Sequence, residues 1–401
     1  MLSPHSHMKI RVMPKTTESI RNLCKSTLYL FLTFVSPFIL YRCIRFLSMY
    51  SSSSTSAPKT DAEILRRKRI EKSKLYFDIT TPKVPIIYSS YYDIRFFGIE
   101  KLHPFDSSKW DRIRGFLISE GHLDKNSIVE PFEASTDDLL VVHTEAYLNS
   151  LNNSVNVAMI TEVPPLAILP NWLVRMKVLS PFRRQVGGTI LAAKLAKEQG
   201  WAINVGGGFH HCSSGRGGGF CAYADISLCI HFAFFRFTIS RVMIIDLDAH
   251  QGNGHEMDFA GDGRVYILDM YNPDIYPFDL TARNYIKQKV EVATGTTTDG
   301  YLKELDKALR VARDNFAPEL IIYNAGTDIL DGDPLGGLKI SPDGVAQRDE
   351  KVFRFARERN IPLVMVTSGG YMKTSARVVA DSIINLSRKR LIDLSPRYGR
   401  R

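Results

Sequence analysis

Four short apolar runs, each ending in polar residues, organise the middle and end of this chain. Trp201–Val205 leads into Gly206-Gly207-Gly208-Phe209-His210-His211, and Val242–Ile245 into Asp246-Leu247-Asp248-Ala249-His250. Leu320–Tyr323 leads into Asn324-Ala325-Gly326-Thr327-Asp328, and Leu363–Val366 into Thr367-Ser368-Gly369-Gly370-Tyr371. Such runs suit strands of a parallel sheet covered on both faces. Helical patterns fall between them. Gln185–Lys197 carries Val186, Ile190, Leu191 and Leu195 at helical spacing, with Gly200 as a stop, and Tyr301–Ala312 carries Leu302, Leu305 and Leu309. Ser341-Pro342 makes an N-cap and first-turn pair ahead of Val345, Val352, Phe353 and Ala356, and Asn360 and Pro362 end that helix. The alternation runs from about Val84 to about Leu386. It predicts an α/β fold in one domain of roughly 300 residues, without internal repeats.

Ligands of open parallel sheets gather in the crevice beyond the carboxyl ends of the strands. Four such ends bearing two His, an Asp-x-His pair, an Asp and a Tyr therefore predict one shared site.

The formal charge of +10 changes this picture little once it is located. The first 74 residues hold 14 of the 52 Lys/Arg and 4 of the 42 Asp/Glu, leaving 38 of each beyond them. The basic character belongs to the N-terminal end, so the main domain is not expected to read nucleic-acid sequence. Residues 1–83 read as a basic extension, 84–391 as the catalytic domain and 392–401 as a basic tail. Within the extension, the apolar stretch Ser26–Tyr41 is shorter than the roughly 20 residues of a membrane span and is interrupted by Pro37. It reads as a signal anchor, as part of a targeting peptide, or as sequence upstream of the internal start candidate Met49. Residues 51–56 are Ser-rich and linker-like. Thr60-Asp61-Ala62-Glu63 fits a capping box ahead of Arg66-Arg67-Lys68-Arg69. That tetrad reads either as a solvated helix face or as a nuclear-import or phosphate-contacting signal. The five cysteines (Cys24, Cys43, Cys212, Cys221, Cys229) form no framework, which suits a reducing compartment. Cys212 and Cys221, close to the His pair, read as packing residues rather than reactive thiols.

The candidate chemistry centres on Asp248-Ala249-His250. In extended backbone, i and i+2 point to one side, so a carboxylate and an imidazole converge on a cation. Asp328 from another strand end completes three ligands, and three protein ligands with an open position is how catalytic zinc is held. Alone, Asp-x-His is more often a turn or a cap. His210 and His211 would face opposite ways if extended, but the flanking glycines predict a tight loop with both near the metal water, as general base and general acid. Asp246 is placed to orient one imidazole and Asn253 the other. Tyr371, after two glycines, offers a phenol to an oxyanion. Gly217-Gly218-Gly219-Phe220 allows close approach of substrate to backbone, with Gly219 and Phe220 as substrate contacts.

Other motifs fail. The glycine runs lack the Lys-Ser/Thr of a P-loop, and His255-Glu256 is followed at the required position by Phe259 rather than His. Asp331-Gly332-Asp333 does not complete an EF-hand loop, and no Gly-x-Ser-x-Gly elbow is present.

The segments 200–225, 244–256, 323–337 and 363–371, with Leu139–Leu151 before them, resemble the zinc-dependent histone deacetylases, specifically their class IV branch. The resemblance covers roughly Val84 to Leu391. It implies the three-layer arginase/deacetylase fold with a central, mostly parallel sheet of about eight strands. It also implies Asp248, His250 and Asp328 as ligands of one Zn2+, and His210 and His211 as the acid/base pair with His211 the base. Tyr371 would polarise the carbonyl, Asp246 would support His210, and a monovalent cation would sit near Asp246. Asn253 stands where some relatives have Asp, which implies a support of His211 weaker in charge, although other deacetylases share that Asn. Tyr271–Tyr285 departs from the class I rim pattern, which leaves the acyl chain open between acetyl and long fatty acyl groups. The implied setting is acyl-lysine on histones or other proteins, chromatin or corepressor partners, and the nucleus and cytoplasm. Organelle targeting through the extension is the alternative.

The expected activity is thus metal-dependent hydrolysis of acyl-lysine. Two competitors stand beside it. The same-fold one is an arginase-like or polyamine-deacetylating enzyme, of which a binuclear arginase-type centre would want a carboxylate two residues after His250, where Gly252 stands. A weakly active acyl-lysine-binding scaffold is the reading from another class.

Overall fold

The computed structural model of the chain describes residues 59–395 apart from 80–82, 97, 99 and 101–103. The apolar stretch 26–41, the Ser-rich linker and Met49 lie outside the described residues. No helix among the described residues is long and apolar enough to cross a membrane.

Seven strands form one sheet: β1 (Ile86–Ile87), β2 (Trp201–Asn204), β3 (Val242–Asp246), β4 (Val265–Tyr271), β5 (Gln288–Glu291), β6 (Leu320–Asn324) and β7 (Leu363–Val366). Their order is β1-β2-β7-β6-β3-β4-β5, with every neighbouring pair parallel. The four expected strands are present, within a residue of their expected ends. The count of seven among described residues compares with about eight expected.

Alternation along each strand explains the layers. Val242 and Ile244 of β3, Leu320 and Ile322 of β6, and Val364 and Val366 of β7 enter one apolar cluster. Helices α3 (Ser180–Gln199) and α4 (Asp225–Arg236) cover it. The intervening Met243, Ile245, Ile321, Tyr323, Leu363 and Met365 enter the other. There they meet α2 (Lys109–Ser119), α5 (Thr298–Asn315), α6 (Pro342–Arg357) and α7 (Ser375–Arg388). Each fully buried Ile or Leu contributes roughly 2 kcal/mol of apolar transfer, which confines polar residues to the strand ends. Asn204, Asp246 and Asn324 are the last residues of β2, β3 and β6, and Asp246 lies in register with Asn324.

Helix termini follow local chemistry. Ser341 Oγ accepts from Gly344 N to cap α6, and Asn360 takes a left-handed φ of 54° just beyond it.

The described residues from 63 to 395 group as one compact unit. The helix Lys59–Lys72 (α1) buries Ile70 in the core, and Leu75 after it is also buried. Its basic tetrad is not wholly solvated: Arg66 Nε donates to Val141 O at 2.8 Å and Arg69 Nη1 to Leu140 O at 3.0 Å. The long apolar stems of Arg hide such packing from a charge-based reading. At the other end, Ile392 and Leu394 are buried.

Candidate metal and catalytic site

The strand ends deliver Asp248, His250 and Asp328 to one point. His250 Nδ1 lies 3.1 Å from Asp248 Oδ1 and 2.8 Å from Asp328 Oδ2, with all three residues buried. The remaining carboxylate oxygens are tied to backbone: Gly369 N donates to Asp248 Oδ2 and Ala249 N to Asp328 Oδ1, both at 2.9 Å. Gly326 is required here, because a Cβ would lie 2.1 Å from Asp248 Oδ2. One nitrogen and two carboxylate oxygens within 4.8 Å of one another form a donor set able to hold a metal ion. Ligand atoms around a tetrahedral ion with 2.0–2.1 Å bonds sit about 3.3 Å apart. The observed spacings need to open by only a few tenths of an ångström, so the residues fit.

Electrostatics agree with that fit. Burial opposes charge on His250, yet its hydrogen bonds to Asp248 and Asp328 raise its pKa to about 10. Burial and the neighbouring Asp248 charge lift Asp328 to about 7, whereas Asp248 is held well below the usual range, against burial, chiefly by His210 and His250. The triad is a site for one positive charge, which a cation supplies in place of the His250 proton.

The histidine pair sits beside it on a tight loop, as its glycines predict. Gly207 and Gly208 take φ of 74° and 85°. Asp225, at the start of α4, accepts from Gly208 N at 2.9 Å and from Phe209 N at 2.8 Å. The two imidazoles are 4.1 Å apart between centroids. His210 Nδ1 contacts Asp246 Oδ2 at 3.0 Å, and His211 Nδ1 contacts Asn253 Oδ1 at 2.9 Å. Acceptors at both Nδ1 atoms leave both Nε2 atoms for the site, and His210 Nε2 lies 3.6 Å from Asp248 Oδ1. The partners separate the two rings in charge. Burial alone would lower His210, but Asp246 and Asp248 raise it to about 9. Burial, with the charges of His210 and His250, pushes His211 well below its ordinary value.

A narrow pocket opens onto these groups, lined by Phe105, Trp110, Phe209, Gly219, Phe220 and Tyr371 among others. Phe220 packs against Phe105 at 5.0 Å and Phe182 at 5.2 Å between centroids. Tyr371 stands 6.1 Å from the His250 ring and 6.0 Å from Phe105. Burial, then the Asp328 and Asp248 charges, raises its phenol well above the ordinary value, so it stays a neutral donor. Its backbone N–H donates to Asp333 Oδ2 at 2.8 Å. Cys221 also lines the pocket, but burial raises its thiol well above the usual range, as it does for Cys212. Neither is an activated nucleophile.

Every residue singled out from sequence is thus gathered at one place: His210, His211, Asp246, Asp248, His250, Asn253, Asp328, Tyr371, Gly219 and Phe220. Several others were missed. His255 Nε2 lies 2.8 Å from Asp246 Oδ2, the oxygen that also meets His210. Asn324 Nδ2 donates to Asp246 Oδ1 at 2.9 Å. Tyr276 packs 4.8 Å from the His211 ring and Lys109 donates to Gly369 O at 2.8 Å. Asn324 was visible at a strand end. His255 follows His250 by five residues but reaches Asp246 only through the turn of the helix Asn253–Asp258, and Lys109 and Tyr276 come from more distant segments that only tertiary structure brings in.

The histone deacetylase domain family matches residues 103–386 of this chain. Histone deacetylase 2 of Arabidopsis thaliana is 67% identical over 386 residues, covering 96% of this chain and 99% of that protein. Histone deacetylase 8 of Xenopus tropicalis is 24% identical over 272 residues, covering 65% and 72%. A crystal structure of an HDAC homolog from Aquifex aeolicus shares the fold with a TM-score of 0.61 at 23% identity, over 76% of this chain and 83% of that one. A family match over most of the sheet and the whole site, and a relative this similar from end to end, identify a hydrolase: the chain belongs to the histone deacetylase domain family.

Proposed function

We propose that the protein hydrolyses N6-acyl-lysine, on histones or other proteins, with one zinc ion held by Asp248, His250 and Asp328. The observation that carries this is the convergence of those three groups with two differently partnered histidines in one aromatic-walled pocket. A bound zinc would supply Lewis-acid polarisation of the amide carbonyl and lower the pKa of a water. His211, its Nδ1–H committed to Asn253, offers the Nε2 lone pair to take the water proton. The water oxygen bonds to the acyl carbon, and the Tyr371 hydroxyl donates to the oxyanion that develops there. As the C–N bond breaks, His210, oriented by Asp246, passes its Nε2 proton to the leaving amine. The products are free lysine and a carboxylate. Gly219 and Phe220, with Tyr276, flank the lysine stem.

A monovalent cation near Asp246 belongs to the same reading. It is supported by Glu256 Oε1 and Asp269 Oδ1, two buried acidic oxygens without a hydrogen-bond partner among the described residues, and by burial and the Asp246 and Glu256 charges that raise the Asp269 carboxyl. The class IV assignment rests on the sequence segments that carried the resemblance. Action in the nucleus and cytoplasm, on chromatin or with corepressors, extends it.

A second reading, preference for long acyl chains, is favoured by one feature. A small apolar crevice lined by Ile94, Phe96, Val163, Leu166 and Val178 shares Phe220 with the catalytic pocket, a start for an acyl chain, though the crevice would have to widen to take its length. Hydrolysis of acetyl- and myristoyl-lysine peptides, with and without chelator and zinc, tests both. Zinc-dependent turnover is expected, and the ratio of kcat/KM for the two chains decides between them. Metal-loaded protein that turns over neither peptide would sink the enzymatic reading and leave an acyl-lysine binder.

A further inference from the structure

Behind the ligand triad lies a charge that the chemistry above does not use. Arg348 on α6 is wholly buried and forms an ion pair with its neighbour Asp349, Nη2 to Oδ1 at 2.9 Å. Its other donors go to backbone. Nη1 donates to Leu247 O at 3.2 Å and to Gly326 O, and Nη2 to Ala325 O at 3.4 Å. Leu247 immediately precedes Asp248 beyond β3, whereas Ala325 and Gly326 lead to Asp328 beyond β6. One planar guanidinium therefore spans the two strand ends that deliver the two carboxylate ligands.

The surroundings fix that guanidinium in turn. Asp349 accepts from Tyr323 Oη and from Ser382 Oγ, and Tyr301 Oη donates to Leu247 O at 3.4 Å. Burying such a network costs more than filling the space with apolar side chains, so an ion pair here is poor evidence for stability alone. What it supplies that apolar packing does not is a fixed spacing between two backbone segments, through a fork of donors at set angles.

We infer that Arg348 is a positioning residue that sets the separation of Asp248 and Asp328, and so the grip of the triad on its metal. This rests on the metal reading above. Lys in its place would keep the charge beside Asp349, but its single ammonium cannot reach carbonyls on both strand ends in the same geometry.

The test uses the full chain loaded with zinc and follows zinc release to a chromogenic chelator, alongside thermal unfolding in excess chelator. Arg348→Lys is expected to release zinc at least tenfold faster than wild type. Ser382→Ala, which loosens the same network one step away, is expected to lower the unfolding temperature while leaving zinc release within about twofold. The double variant Arg348→Met with Asp349→Leu removes both charges together and is expected to release zinc as fast as Arg348→Lys, which covers a failure of the single variant to fold. Zinc release at the wild-type rate from either Arg348 variant overturns the inference, as does equal acceleration by Ser382→Ala. A wild-type chain that retains no zinc overturns the metal reading itself and this inference with it.

Discussion

The Gly369 backbone N–H donates to Asp248 Oδ2 at 2.9 Å, joining the turn after β7 to a carboxylate delivered by β3. That closeness leaves no space for a side chain. A Cβ on Gly369 would stand 2.5 Å from both Asp248 Oδ2 and Asp328 Oδ2. Gly369→Ala is therefore expected to push the carboxylates apart and weaken zinc binding by at least tenfold. The metal-free protein should unfold within a few degrees of wild type, since the clash is local. Zinc titration against a competing chelator checks it, and wild-type affinity would show that the carboxylates are not the ligands.

Tyr371 supplies the second prediction. Its phenol faces the pocket as a neutral donor, and its backbone is anchored independently through Asp333. Tyr371→Phe should keep the anchor and lose only the hydroxyl. A donor acting mainly in the transition state is worth roughly 10²–10³ in kcat with little change in KM. Steady-state kinetics on the better acyl-lysine peptide decides it; a kcat within threefold of wild type would remove Tyr371 from the reaction.

Asp225 carries the third. Its carboxylate accepts from the N–H groups of Gly208 and Phe209 and from Thr189 Oγ1 at 2.7 Å, all buried. Asp225→Ala would strand two backbone donors, costing roughly 4 kcal/mol of stability in total, and would release the loop that presents His210 and His211. Asp225→Asn retains an acceptor oxygen and should cost about half as much. Urea unfolding of the three proteins gives the ranking, and kcat is expected to fall in the same order.

Much of this site was legible because each strand end contributes a contiguous cluster. Asp248-Ala249-His250 and His210-His211 carry their chemistry within a few residues, and the apolar run before each cluster says that it lies at a sheet edge. Asp225, His255 and Arg348 were not legible. Asp225 reads as an ordinary first-turn acid, His255 as a failed metalloprotease motif, and Arg348 as one charge on an amphipathic helix. Their roles come from what α4, the Asn253–Asp258 helix and α6 pack against, which periodicity does not encode. The packing of Arg66 and Arg69 was hidden for a related reason: their donors reach Val141 O and Leu140 O beside the buried Ile70, which a count of charges does not encode.

His143 gives a pH prediction away from the metal ligands. It is 3% exposed, its Nε2 accepts from Ala224 N at 3.0 Å, and its Nδ1–H donates to Ser214 O at 3.2 Å. Using both nitrogens this way requires the neutral ring, and the two contacts fasten both ends of the loop that carries Gly219 and Phe220. Burial, opposed by the bonds to Ser214 and Ser213, lowers its pKa from 6.5 to about 4. Below 6.5 the unfolded chain binds a proton there that the folded chain does not bind until about pH 4. This contribution to stability is therefore complete above pH 6.5, falls as the pH drops toward 4, and amounts to about 3 kcal/mol across that window. His143→Gln offers one donor and one acceptor without titrating. Urea unfolding at pH 7, 5.5 and 4.5 should show wild type losing more stability on acidification than the variant, by up to that amount. Parallel losses would mean that the ring is already charged in the folded protein, or that its proton uptake does not differ between states.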